Sequence, residues 1–161
     1  MNIRHLGRRI DLLTAEAIAL VGTAPALQRA FDQLISVRGI AKNSAVQLLP
    51  ELLVLPADMT VRQWVAHAGL DPRAWQSGTS VDKPAHISKI GNAHIRRLLF
   101  MPALVAVQHE AQVRAFFEQL VGRGKKPLQA YVAVMRKLLH AIYGMFNTNT
   151  DFVPAKFHAA A

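Results

Sequence analysis

Residues 69–97 read GLDPRAWQSGTSVDKPAHISKIGNAHIRR. A helical pattern stops at the glycine that opens this stretch, and another begins before it closes. Between them stand two prolines, three glycines, three serines and a threonine, with almost no apolar periodicity. That composition predicts a loop or short-strand region displayed by the flanking helices. The charges are one-sided: Arg73, Lys83, Lys89, Arg96 and Arg97 face the single acid Asp82, once Asp71 is assigned to the turn with Pro72. A surface with that balance attracts a polyanion. Ser77 sits at the centre, between Gln76 and Gly78, where the backbone has room to bring a hydroxyl close to a ligand.

The rest of the chain agrees with that charge. Its 161 residues and 17.7 kDa make one ordinary domain, or a small domain with an extension. Hydrophobic residues are 52% and charged residues 18%, enough for a core and against disorder. The formal charge is +9 and the pI about 10.7; a basic domain of this size points to nucleic acid, less often to an anionic membrane. There is no cysteine, which excludes a disulfide framework and a thiolate metal site. No apolar run approaches the roughly 20 residues of a membrane span, and Arg4, His5, Arg8 and Arg9 do not open a signal peptide. A cytoplasmic protein with no membrane partner is expected. No spacing of His, Asp and Glu suggests a metal cage.

Read outward from the central stretch, the chain is mainly helical. Residues 2–21 form a helix in which Ile3, Leu6, Ile10, Leu13, Ala17 and Leu20 keep the a/d rhythm of a coiled-coil seam. That seam either packs on its own domain or pairs with another chain. Thr23 is the expected cap of a second helix with Pro25 in its first turn and Leu27, Ala30, Phe31 and Leu34 inward. The run SVRGIAKNSA at 36–45 looks like the turn of a helix-hairpin-helix. That motif grips DNA through backbone N–H groups at a helix N-terminus, with Arg38, Gly39 and Lys42 as its contacts here. A hairpin that only packs is the competing reading, and Ala41 stands where the motif usually has a second glycine.

Pro50 and Pro56 bracket an apolar segment, 52–55, expected to be a buried turn or short helix. Thr60 caps a helix with Val61, Trp64, Val65 and Ala68 inward, closed by Gly69. A long helix starts at Asn92 or a neighbour, with Ile95, Leu98, Leu99, Met101, Val105 and Ala106 in the core and a kink at Pro102. Val113, Phe116, Phe117 and Leu120 mark a further helix, and the basic turn GRGKKP at 122–127 leads to the last one. There Leu128, Tyr131, Val132, Met135, Leu138, Leu139 and Ile142 form the apolar stripe. From Asn147 on, a frayed tail is expected. The domain boundaries are then 1–24 for the coiled-coil-like helix, 25–146 for the main domain and 147–161 for the tail.

The order of these blocks is specific. The Gly-Ile hairpin is followed by Trp64, then AGLDP at 68–72, QSGTS at 76–80, ISKIGNAHIRR at 87–97 and RGKKP at 123–127. From about Leu34 to about Phe146 the chain closely resembles the C-terminal domain of the "IS one-ten" type insertion-sequence transposases. The resemblance implies a two-part recombinase: a resolvase-like N-terminal domain holding Mg²⁺ on four acidic residues, and a coiled-coil helix leading to a domain that carries a serine nucleophile. It implies action on DNA, guided by a structured bridge RNA, in a multimeric complex. The residue matching the nucleophile is Ser77, with Ser80 as the fallback. On this reading Ser77 attacks a phosphodiester and holds the DNA as a phosphoserine, which is covalent catalysis. The developing charge needs cationic neighbours, for which Arg73, Lys83, Lys89, Arg96 and Arg97 are the candidates. Without the resemblance Ser77 reads as a turn residue.

The block around Asn92 reads both as a helix N-cap and as a phosphate site with Lys89. Lys125 and Lys126 are either a solvated basic turn or nucleic-acid contacts. The chain departs from the family in its few, scattered acids, which make no carboxylate cage; Mg²⁺ is expected only in the domain it lacks, and no cofactor is expected on this chain. Asp82 and Pro84 interrupt the basic run after the serine. Two readings follow: the serine-bearing part of a DNA transposase that forms homo-oligomers, or a catalytically inactive, truncated remnant that binds nucleic acid or oligomerises.

Overall fold

In the computed structural model the described residues are 3–77 and 81–158, of which 74–77 and 81–85 are described through their backbone alone. The mainly helical class is observed. Seven α-helices and one antiparallel hairpin follow in order: α1 (Ile3–Val21), α2 (Pro25–Ser36), α3 (Lys42–Leu53), α4 (Val61–His67), β1 (Pro72–Ser77), β2 (Val81–Ile87), α5 (Ala93–His109), α6 (Ala111–Gly122) and α7 (Pro127–Thr148).

The core is built on α7, against which α2, α4, α5 and α6 all pack. The reason lies in its sequence. Ala130, Val134, Met135, Leu138, Leu139, Ile142 and Met145 repeat at helical spacing and are buried, each large side chain contributing roughly 1.5–3 kcal/mol on leaving water. Pro127 supplies the preset φ of a first helical residue. At the other end Asn149 adopts φ 51°, ψ 41°, and its N–H closes on the Met145 carbonyl. Trp64 of α4 meets Tyr143 and Phe146 edge-on, at ring separations of 5.2 and 6.3 Å. The expected capping residue Thr60 is in place, joined by Gln63 in a reciprocal capping box.

Four local expectations are corrected. Thr23 does not cap α2: its hydroxyl donates to the Leu20 carbonyl at the end of α1, and Ala24 holds the cap position without a side-chain bond. Pro50 lies inside α3, which runs on to Leu53; Leu52 is buried while Leu53 and Val54 are exposed. Met101 and Leu128, assigned to the core by periodicity, are 59% and 63% exposed. The tail after α7 is not frayed over its described residues. Asp151 pairs with Arg29 at 2.8 Å, Gln33 donates to the Met145 and Thr150 carbonyls, and Phe152 N–H donates to Ser36 Oγ. After a 3₁₀ turn at Pro154–Lys156, Phe157 is buried against Phe116 and Phe152.

Two positions explain how the layers close. Gly39 ends the α2–α3 turn at φ +103°, and a Cβ there would lie 2.6 Å from the Pro102 carbonyl oxygen. That glycine therefore serves a close approach of the turn to α5. Pro102 is buried within α5, which continues through it to His109. By contrast, α1 touches α2 and α3 near its C-terminal end, where Val21 is buried. Its seam is turned outward: Ile10 is 54% and Leu13 57% exposed, and Ile3, Leu6 and Leu20 are exposed as well.

Candidate functional site

The expected short-strand insert is a two-stranded hairpin. Pro72 pairs with Ile87, Arg73 with His86, Trp75 with Lys83, Gln76 with Asp82 and Ser77 with Val81, with a register shift between Arg73 and Trp75. Ser77 therefore ends β1, at the far end of the hairpin from its base. Five strand steps of about 3.3 Å put it roughly 17 Å from Pro72. Ser80 lies outside the described residues, and Lys83 is described through its backbone pairing.

The base of the hairpin is a clasp made by the conspicuous blocks of the sequence. Ser88 N–H donates to the Asp71 carbonyl, Lys89 N–H to Gly69 and Asn92 N–H to His67, at 2.9, 3.1 and 2.6 Å. Ser88 Oγ also donates to the Asp71 carboxylate. Gly69 and Gly91 have φ +64° and +108°, and at both a Cβ would overlap backbone atoms of the opposite strand of the clasp. Lys89 itself takes φ 54°, a left-handed conformation unusual for a side-chain-bearing residue. The glycines of GLDP and SKIGN are thus required by two chain segments crossing at backbone distance.

Several candidate contacts are engaged in this framework. Asn92 caps α5, its Oδ1 accepting from His94 and Ile95 N–H, while its Nδ2 donates to Glu51 Oε2 at 2.6 Å. Arg96 Nη1 donates to the Ala68 carbonyl at 2.7 Å, completing the end of α4. Arg38 Nε pairs with Glu110 at 2.9 Å. Gly39 lies against α5, as described above, and Lys42 is exposed at the start of α3. Arg97 is exposed and donates to His94 Nδ1 at 2.8 Å. That bond leaves the proton of neutral His94 on Nε2, which lies 4.0 Å from Glu51 Oε1.

Arg73, Lys89, Lys125 and Lys126 are exposed. Lys89 and Lys125 come together across an open groove of about 510 Å³ between the hairpin base and the first turns of α7. Sequence reading did not find this feature. Leu128, Val132 and Arg136 share one face of α7 at four-residue spacing and line the groove, with His86 and Ile87 opposite. The signal was present, but an apolar i, i+4 pair is read as core unless the missing neighbour is known.

Two ionisations on α7 are perturbed. His140 is held below its ordinary pKa by burial, then by Arg136 and Lys137; its Nε2 is sealed from solvent without a hydrogen-bond partner among the described residues. Lys137 is lowered by burial, with its Nζ 4.3 Å from the Phe116 ring centroid and 5.3 Å from that of Phe157. Both lie on a helix of the core rather than beside the hairpin tip.

Acidic side chains are scattered over the described residues. No group of three or more His, Cys, Asp or Glu gathers among them, and Glu51, Asp71, Glu110 and Asp151 are each tied to a neighbour. Nor is any described helix long and apolar enough to cross a membrane.

Comparison with known proteins gives the arrangement its context. The model of the Transposase IS116/IS110/IS902 family matches residues 32–118. Pilin gene-inverting proteins of Moraxella lacunata and Moraxella bovis are 33% identical over 156 residues, covering 94% of this chain and 47% of theirs. A putative transposase y4rJ of Sinorhizobium fredii is 33% identical over 147 residues, 86% of this chain and 36% of its own. An uncharacterized 43.6 kDa protein of insertion element IS110 from Streptomyces coelicolor is 26% identical over 131 residues, 80% of this chain and 32% of its own. The chain thus spans about half the length of the Moraxella proteins and about a third of the other two.

Proposed function

Since the chain belongs to the Transposase IS116/IS110/IS902 family, we propose that it is the serine-bearing, DNA-handling part of a transposase or recombinase. The observation that carries the reading is the ordered set of motif blocks, AGLDP, QSG and ISKIGN, within a domain that sets Lys89, Lys125 and Arg136 at the base of the hairpin whose first strand ends at Ser77. Ser77 Oγ attacks a DNA phosphorus, the P–O bond to the leaving sugar oxygen breaks, and the DNA is held as a phosphoserine. The serine proton passes to a base and the leaving oxygen is protonated on release. Rejoining reverses these steps on a second DNA end, so that strand transfer or inversion uses the same chemistry.

In this reading Lys42, Arg73, Lys83, Lys89, Arg97, Lys125 and Lys126 hold phosphates, while Arg38, Gly39, Asn92 and Arg96 keep the surface in shape. Mg²⁺ is held by acidic residues of a separate resolvase-like domain, a bridge RNA guides target choice, and the α1 seam joins copies of the chain. The second reading, a nucleic-acid-binding or oligomerising module without catalysis, is favoured by the scattered acids of this chain.

Covalent trapping tests both. The chain is incubated with labelled insertion-sequence end DNA, its RNA and Mg²⁺, with and without a resolvase-like domain in trans, and run on a denaturing gel. An adduct lost in Ser77→Ala and kept in Ser80→Ala is the expected result. No adduct, with salt-sensitive binding intact, leaves the binding module.

A further inference from the structure

We infer that the groove between the hairpin base and α7 holds a segment of unpaired DNA, base faces on its aliphatic floor and phosphates on its cationic rim. The inference rests on the nucleic-acid reading above and adds to it a site, a strand state and new residues. The floor is Leu70, Ile87 and Val132, continued outward by Leu128. Leu128 stands 63% exposed on the first turn of the helix that organises the core. The rim is Lys89, Lys125 and Arg136, and no acid lines the groove among the described residues. The nearest acid in sequence, Asp71, is held by Ser88. The N-terminus of α7, a 22-residue helix, opens on the same rim and adds the favourable end of its dipole.

Cations alone would serve duplex and single strand alike. The apolar floor separates them. Bases in a duplex are stacked on one another and offer only their edges, whereas an unpaired strand can lay a base face on apolar side chains. The wall of the groove decides between DNA and RNA. It is the base of the strand that ends at Ser77, roughly 17 Å away. A DNA strand held for attack at Ser77 therefore brings its own flank to the groove. A strand opened there needs a place for its bases, and this floor supplies one.

The test uses fluorescence anisotropy on the whole chain with a 5′-fluorescein 15-nucleotide DNA single strand, the same sequence as duplex, and the same sequence as RNA. Leu128 is exposed, so its variants fold, which circular dichroism checks. Leu128→Glu is expected to weaken single-stranded DNA binding by about tenfold or more, the scale of one lost base contact, and duplex binding by less than about threefold. Leu128→Ala should weaken it less, with the salt slope unchanged. Lys125→Ala with Arg136→Ala should lower that slope by about 1.4, two phosphates at about 0.7 each. Equal losses on duplex and single strand, or a loss confined to RNA, would overturn the proposal. So would competition by a polyglutamate peptide as effective as the oligonucleotide. If wild type binds all three probes at low salt and Leu128→Glu changes none, the groove fails alone. If wild type binds no polynucleotide, the nucleic-acid reading falls and takes the groove with it.

Discussion

Arg96 and Arg97 are neighbours of one residue type with different tasks. Arg96 reaches back to the Ala68 carbonyl and is half-buried, so Arg96→Ala leaves an orphaned acceptor at the end of α4. A loss of about 1–3 kcal/mol is expected, read by urea denaturation. Arg97→Ala should stay within about 0.5 kcal/mol of wild type and instead lower the salt slope of DNA binding by about one phosphate. The reverse pattern would mean that the two roles are exchanged. The sequence marked both as cations beside a serine but contained nothing to separate them, because the carbonyl that claims Arg96 arrives from 28 residues upstream. Asn92 was more legible. An Asn ahead of an apolar helical pattern is a cap by local chemistry, and it caps α5.

His140 gives a pH prediction at the same scale. Its folded pKa lies below the ordinary 6.5, so just under that value the unfolded chain binds more protons than the folded one. Stability therefore rises with pH through this window and is lost as pH falls through the folded value. His140→Gln should narrow the difference between urea midpoints at pH 5 and pH 7.5. An unchanged difference would place the acid sensitivity on other groups.

Among the elements, the clasp and the tail matter most, and they were unequally visible. Prolines, glycines and one-sided charge located the hairpin, whose strands pair through the expected insert. That the flanking motif glycines serve a backbone crossing was not readable, since positive φ at Gly69 and Gly91 appears only once both segments are in place. Gly91→Ala should cost about 2–4 kcal/mol, combining left-handed strain with overlap on the His67 carbonyl. A neutral outcome in denaturant would show that the clasp can open without loss. The tail was misread because its anchors are aromatic and distant: Phe157 packs on Phe116, 41 positions earlier, and a ten-residue polar-looking segment has no periodicity to reveal that. Phe157→Ala should destabilise by about 3–5 kcal/mol, and it should also free Lys137 from its place between two rings.

The molecule as a whole carries its +9 charge on a helical body with a protruding basic hairpin and an uncovered α1 seam. Leu13→Glu should shift sedimentation towards the monomer if that seam joins copies of the chain, and leave thermal unfolding of the core unchanged. An unaltered sedimentation coefficient would remove α1 from assembly. The closure of α2 by the far end of the chain has a different consequence. Gln33 finds its acceptors at Met145 and Thr150, and Arg29 reaches Asp151, 122 positions away. During synthesis at about 5–20 residues per second, the ribosome needs roughly 6–22 s to travel from Gln33 to Met145. Throughout that interval α2 has α1 and α3 to pack on but not α7. The helix made second is therefore among the last to complete its packing, because Gln33 and Arg29 wait for acceptors at the far end of the chain.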